Sequence, residues 1–139
     1  MMSNSAEIRW RQRFANFTSA MASLVEACEK DEYSNLERSG LVQTFEFSFE
    51  LAWNTLKDLL FYEGFEPKTP RETIRTAFVA GYFSEAEAAT ALDALEKRNI
   101  LSHSYDETNA KQAVSLIKFH YLPMLRALHE RLRVKQEAQ

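Results

Sequence analysis

Apolar residues at Trp10, Phe14, Phe17, Met21, Leu24 and Cys28 alternate spacings of four and three, which puts them on one core-facing stripe of a helix. A second stripe starts near Ser34 and runs through Leu41, Phe45, Phe49, Ala52, Leu56, Leu59 and Leu60 until Gly64 ends it. Phe47 and Trp53 lie off that stripe. This helix is apolar on more than one face and must touch more than one neighbour, as a central helix or a subunit contact would. Thr69-Pro70-Arg71-Glu72 joins a capping box to a proline at the first helical position, predicting a short helix through Ile74, Ala77 and Phe78 that stops at Gly81. Ser84-Glu85-Ala86-Glu87 is a further capping box, and the helix behind it turns Ala88, Ala91, Leu92, Leu95 and Leu101 inward. The last helix starts near Thr108 and carries Ala110, Ala113, Val114, Ile117, Tyr121, Met124, Leu125, Leu128 and Leu132. Pro123 should kink it, because proline removes a backbone donor and clashes with the preceding turn. No segment shows sustained period-two alternation, and there is no internal repeat. The expected fold is all-α: an antiparallel up-and-down four-helix bundle with one additional short helix.

Composition agrees. The 139 residues suit a single domain spanning 1–139, and 45% hydrophobic residues with only three Gly and three Pro suit long helices joined by short loops. A net charge of −3 argues against a free-standing nucleic-acid binder, so any RNA site must be a local patch. Cys28 is the only cysteine, forms no intrachain disulfide and reads as a small buried hydrophobe. No run approaches the length of a membrane span and the N-terminus lacks a signal-peptide core, which gives a cytoplasmic reading with no membrane contact. Metal-ligand spacings and Gly-rich phosphate loops are absent, so no cofactor is expected.

The chemistry gathers in Arg98-Asn99-Ile100-Leu101-Ser102-His103-Ser104-Tyr105, at a helix C-terminus and the turn after it. The partial negative charge of such a terminus favours a protonated imidazole and would tend to raise the pKa of His103. A metal-independent ribonuclease needs a base for the 2′-hydroxyl, an acid for the leaving oxygen and a cation for the charge building on phosphorus. On an ideal helix Asn99 and His103 share a face, whereas Arg98 and His103 point roughly 140° apart. Their convergence requires a distorted last turn near Ser102 or a second copy of the chain, and a two-fold dimer through this helix would bring two histidines and two arginines into one cleft. The other reading is plain capping: Arg98 and His103 satisfy C-terminal carbonyls while Asn99 and Ser102 bond locally. His120 and His129 belong to no such cluster and read as surface or boundary residues.

Arg98 and His103, with Asn99 after the Arg and Tyr105 two after the His, resemble the Arg-x4-His-x-Tyr signature of the HEPN superfamily. The segment Arg98 to Asp106, Phe45-Glu46-Phe47-Ser48-Phe49-Glu50-Leu51, and Pro70-Arg71-Glu72 with Gly81 are similar to the nucleotidyltransferase substrate-binding family within it, which includes HepT-like toxins. The resemblance covers most of the chain. It implies a four-helix up-and-down bundle that forms a homodimer and partners a minimal nucleotidyltransferase. In the toxin-antitoxin version Arg98, Asn99 and His103 are ribonuclease residues acting on RNA, and Tyr105 is adenylylated by the partner. A nucleotide there adds bulk and negative charge beside Arg98 and His103 and blocks the cleft. The alternative is a non-catalytic substrate-binding subunit that presents substrate to the nucleotidyltransferase. A purely structural bundle is a third reading.

Glu46 and Glu50 lie four apart on a largely apolar helix, where a carboxylate is costly unless paired. They either meet Arg98 or Arg71 or sit on the solvated side. Trp10 and Trp53 suit core or interface packing better than base stacking. The basic runs Arg9, Arg11, Arg13 and Arg126, Arg131, Arg133 suit RNA guidance, an acidic partner or a solvated helix face.

Overall fold

The computed structural model describes residues 2–102 and 107–138, with the side chains of 5–98, 101 and 109–138. The described residues are helical, without strands: α1 (Met2–Ala27), α2 (Asn35–Tyr62), α3 (Pro70–Val79), α4 (Glu85–Ser102), α5 (Glu107–Leu116) and α6 (Leu122–Glu137). A five-residue π-helical turn, Ile117–Tyr121, joins α5 to α6, so these three pieces form the one long final helix that the apolar pattern predicts. The result is an all-α bundle of four longer helices and the short α3.

Local chemistry sets the helix ends. Ser34 caps α2: its hydroxyl accepts from the Glu37 amide at 3.2 Å and Glu37 returns a bond to the Ser34 amide at 2.8 Å. Lys30 sits 2.7 Å from the same carboxylate, and these contacts, led by Lys30, hold the Glu37 pKa down to about 2. At the other end Gly64 takes a φ of 98°, a left-handed conformation suited to glycine, and Phe65 N–H reaches back to the Leu60 carbonyl at 2.8 Å. Gly81 ends α3 in the same way, with φ 91° and Tyr82 N–H on the Ala77 carbonyl.

The core runs through every helix. Trp10, Phe14, Phe17, Met21 and Leu24 of α1 are buried against the whole predicted stripe of α2. Ser48 lets these two helices approach closely: it is fully buried, donates to the Thr44 carbonyl at 2.8 Å, and lies 3.4 Å from the Ala20 carbonyl across the contact. Ala91 and Ala94 do the same for α4, while Leu92 and Leu95 are only partly buried, so α4 is rotated slightly from the expected face. Phe78 is a second departure. It lies 44% exposed, because Thr73, Ile74 and Ala77 already fill the inner face of α3. Cys28, just past the end of α1, is partly rather than fully buried, and that desolvation pushes its thiol pKa up.

Just ahead of Pro123 the last helix widens into the π turn. The Leu122 amide bonds back five residues to the Ile117 carbonyl, just before the residue that has no N–H to give. Both Ile117 and Tyr121 point inward, and the Tyr121 ring stacks on Phe45 with centroids 5.1 Å apart.

Two outcomes follow from this packing. Phe45 is fully buried between Phe49 and Tyr121, so Phe45→Ala should cost about 3–5 kcal/mol in urea unfolding. Glu87 bonds Arg131 and caps α4 through Ser84; burial works to raise its pKa, but the Arg131 and Ser84 bonds prevail and hold it below the usual carboxylate range. A lowered folded pKa stabilises above the unfolded value and is lost as pH falls through the folded one. The stability gap between wild type and Glu87→Gln should therefore be full at neutral pH and close as pH drops below about 4, as read by unfolding titrations.

Candidate functional site

Arg98 emerges from α4 one turn beyond the buried Ala94. Its Nη1 lies 3.7 Å from Glu50 Oε2 on α2. The same carboxylate oxygen accepts from the Trp53 indole N–H at 3.1 Å, and Asn54 Nδ2 donates to the Glu50 carbonyl at 2.8 Å and lies 3.4 Å from Oε1. Lys57 completes the row, its ammonium 6.0 Å from the Trp53 ring centroid. Glu50, Trp53, Asn54 and Lys57 meet because residues three and four apart are neighbours on a helix surface. The Arg98 side chain is 40% exposed and that of Glu50 53%, so the pair sits at the surface, where it orients the guanidinium but adds at most about 1 kcal/mol of stability.

Both sequence readings of Glu50 hold a part of the truth: it is on the solvated side and it meets Arg98. Arg71 pairs instead with Glu96, at 3.5 Å. Glu46 is half-buried on the same side of α2. Asn99 and Ser102 lie in the last turns of α4, which is helical as far as Ser102, so no distortion of that turn falls among the described residues. His103 and Tyr105 lie outside the described residues.

Sequence reasoning did not link Trp53, Asn54 and Lys57 to Glu50, although their spacing carries the signal. It also missed a second polar contact on α4. Asp93 accepts from the Tyr121 hydroxyl at 2.7 Å and lies 3.2 Å from Lys97. Burial, then the Asp93 bond and charge, push the Tyr121 pKa well up, so the phenol stays neutral and serves as a fixed strut between the π turn and α4. Tyr82 is held likewise by burial and by Glu63, at 2.6 Å.

The remaining polar candidates lie apart from the Glu50–Arg98 pair. His129 sits at the boundary, 2.8 Å from Thr18 Oγ1 and stacked on Phe14, and burial lowers its pKa. His120 is exposed. Trp10 is core. Arg13 pairs with Asp58 at 3.1 Å, Arg11 with Glu7 at 3.2 Å, and Arg133 with Glu130 and Glu137, so much of the basic character of both runs is answered within the chain. Among the described residues no group of three or more His, Cys, Asp or Glu could hold a metal ion, and no helix is long and apolar enough to cross a membrane.

A crystal structure of a Thermus thermophilus protein resembles this fold with a TM-score of 0.79 at 30% sequence identity, covering 84% of this chain and 98% of that one. Among curated proteins none matches. Residues 12–134 match the family described as nucleotidyltransferase substrate binding protein like, a span that reaches from the first helix into the last and includes Glu50, Arg98, His103 and Tyr105. The chain belongs to that family.

Proposed function

We propose that this chain is the helical partner of a minimal nucleotidyltransferase and acts in the cytoplasm as a homodimeric, metal-independent ribonuclease toxin that the partner silences. The carrying observation is Arg98, oriented by Glu50 on an exposed surface at the head of the segment that also holds Asn99, His103 and Tyr105, in a chain of this family. A guanidinium has five donors in a planar fork, so Arg98 has the capacity to hold a carboxylate and a phosphate together.

In this reading His103 of one copy takes the proton of a ribose 2′-hydroxyl, and the 2′-oxygen attacks the adjacent phosphorus. The bond from phosphorus to the 5′-oxygen breaks, and that oxygen takes a proton from the protonated His103 of the second copy. Arg98 offsets the charge that grows on the non-bridging oxygens, and Asn99 holds the phosphate in line. The products are a 2′,3′-cyclic phosphate and a 5′-hydroxyl. Silencing is a separate transfer: the Tyr105 oxygen attacks the α-phosphorus of ATP on the nucleotidyltransferase, and pyrophosphate leaves. The tyrosyl-bound nucleotide then competes with RNA for Arg98 and His103.

Purified protein should cleave RNA in the presence of a chelator, and Arg98→Ala and His103→Ala should each lower the rate by about 100-fold or more with unchanged helix content by circular dichroism. Equal cleavage by wild type and variants would sink the catalytic reading. RNA that is bound but never consumed would favour a non-catalytic subunit that presents substrate; the family's description names substrate binding. Incubation with the nucleotidyltransferase and ATP should add one adenylyl group to wild type and none to Tyr105→Phe, as read by intact mass. An equal gain in both would remove Tyr105 as the target.

A further inference from the structure

We infer that the outer face of α2 is the two-fold contact between copies of this chain, with the two α2 helices antiparallel and the symmetry axis passing at Asn54. Phe47 is 63% exposed and Phe61 47% exposed, although both belong to the helix at the heart of the core. With Asn54 they recur every seven residues, a spacing that drifts only about 20° per repeat on an α-helix, so the three form one line along α2. That line lies opposite the buried arc of Phe45, Phe49, Ala52, Leu56 and Leu59. A polar residue within an apolar seam is a known device for fixing register.

The line is self-complementary. Phe47 precedes Asn54 by seven residues and Phe61 follows it by seven, so an antiparallel pair centred on Asn54 sets each Phe47 against the partner's Phe61. Glu50 and Lys57 flank the line on the side towards α4, and the two-fold keeps that side, so Glu50 faces the partner's Lys57, twice per dimer. Among the described residues Lys57 has no ion pair in its own chain. A parallel pair would instead aim Lys57 at the partner's Asp58. That carboxylate is only 14% exposed and is already held by Arg13 at 3.1 Å, which disfavours the parallel form. Phe47 also walls a groove of about 730 Å³ with Ser19, Ala20 and Ser23 of α1, which leaves room beside it for an incoming ring.

This contact stands on α2 alone, but it deepens the proposed function. The same rotation carries α4 of both copies to one side of the helix pair. Glu50 lies four residues before the axis in each copy, so the two are separated by about 12 Å along the helices and 8–10 Å across them, about 15 Å in all. Both Glu50–Arg98 pairs then border one cleft, and each copy completes the other's site.

The test is oligomeric state with register. Sedimentation of the full chain should give a dimer, and Phe47→Glu, at an exposed position, should weaken it roughly 30-fold or more with helix content retained. In a Cys28→Ser background, Phe47→Cys and Phe61→Cys proteins mixed together should be joined by a short bismaleimide, while each alone should not. The mixed dimer still keeps one intact Phe47 and Phe61 pair. A monomeric wild type, a dimer indifferent to Phe47→Glu, or self-crosslinking of Phe47→Cys would each overturn the contact. RNA cleavage by a monomeric wild type would overturn the contact and the two-copy mechanism while leaving ribonuclease activity itself in place; a dimer with this register that leaves RNA intact would support the contact and count against the ribonuclease reading.

Discussion

Everything in this bundle hangs on how α2 divides its circumference. The helix is 28 residues long, and its buried arc from Leu41 to Leu60 has to meet α1 on one side and α4, α5 and the π turn on the other. Fully buried Ser48 at the close approach to α1 and stacked Phe45 under Tyr121 show how little slack that arc has. Rotating α2 by even one residue would move every one of these side chains about 100° off its neighbour. The rest of the circumference is what remains for chemistry and partners: Glu50 and Trp53 towards α4, and Phe47, Asn54 and Phe61 outward.

The candidate site inherits its geometry from that division rather than from its own bonds. The Glu50–Arg98 pair is half in solvent, and exposed ion pairs contribute at most about 1 kcal/mol, far too little to position two helices. Helix placement comes from buried Ala91, Ala94 and Leu101, and from the Tyr121 bond to Asp93, less than two turns before Arg98. The Tyr121 side of this bond is buried while Asp93 is partly exposed, and a buried hydroxyl is costly to leave without a partner, so the strut resists rotation of α4 more than its net strength suggests.

The helices were legible in the chain because their stripes and caps agree. Ser34, Thr69 and Ser84 mark three starts, Gly64 and Gly81 mark two ends, and the α2 stripe is buried in full. The errors are rotations of less than one residue's turn: Leu92 and Leu95 lost the inner face to Ala94, since a close helix contact accepts alanine where leucine would hold the helices apart. Phe78 was misplaced because a ten-residue helix offers one narrow inner face, already taken. Arg98, His103 and Tyr105 stand out in the chain as a polar cluster, but the Glu50 that pairs with Arg98 was ambiguous, because pattern alone does not fix the rotation of a helix that is apolar on several sides.

The π turn was also written in the chain. Ala113, Ile117, Tyr121 and Leu125 are spaced by four three times in succession, and on a helix of 3.6 residues per turn each step drifts about 40°. Three such steps carry the stripe some 120° away from the core, unless the helix widens somewhere to take up the difference. A turn closed by an i to i−5 bond does so, and Pro123 fixes where, because the helix has least to lose just ahead of a residue without an N–H. The widening therefore falls at Ile117–Tyr121, turns Tyr121 inward, and puts its hydroxyl on Asp93. A proline on the last helix thus helps to set the rotation of α4, and with it the direction in which Arg98 faces.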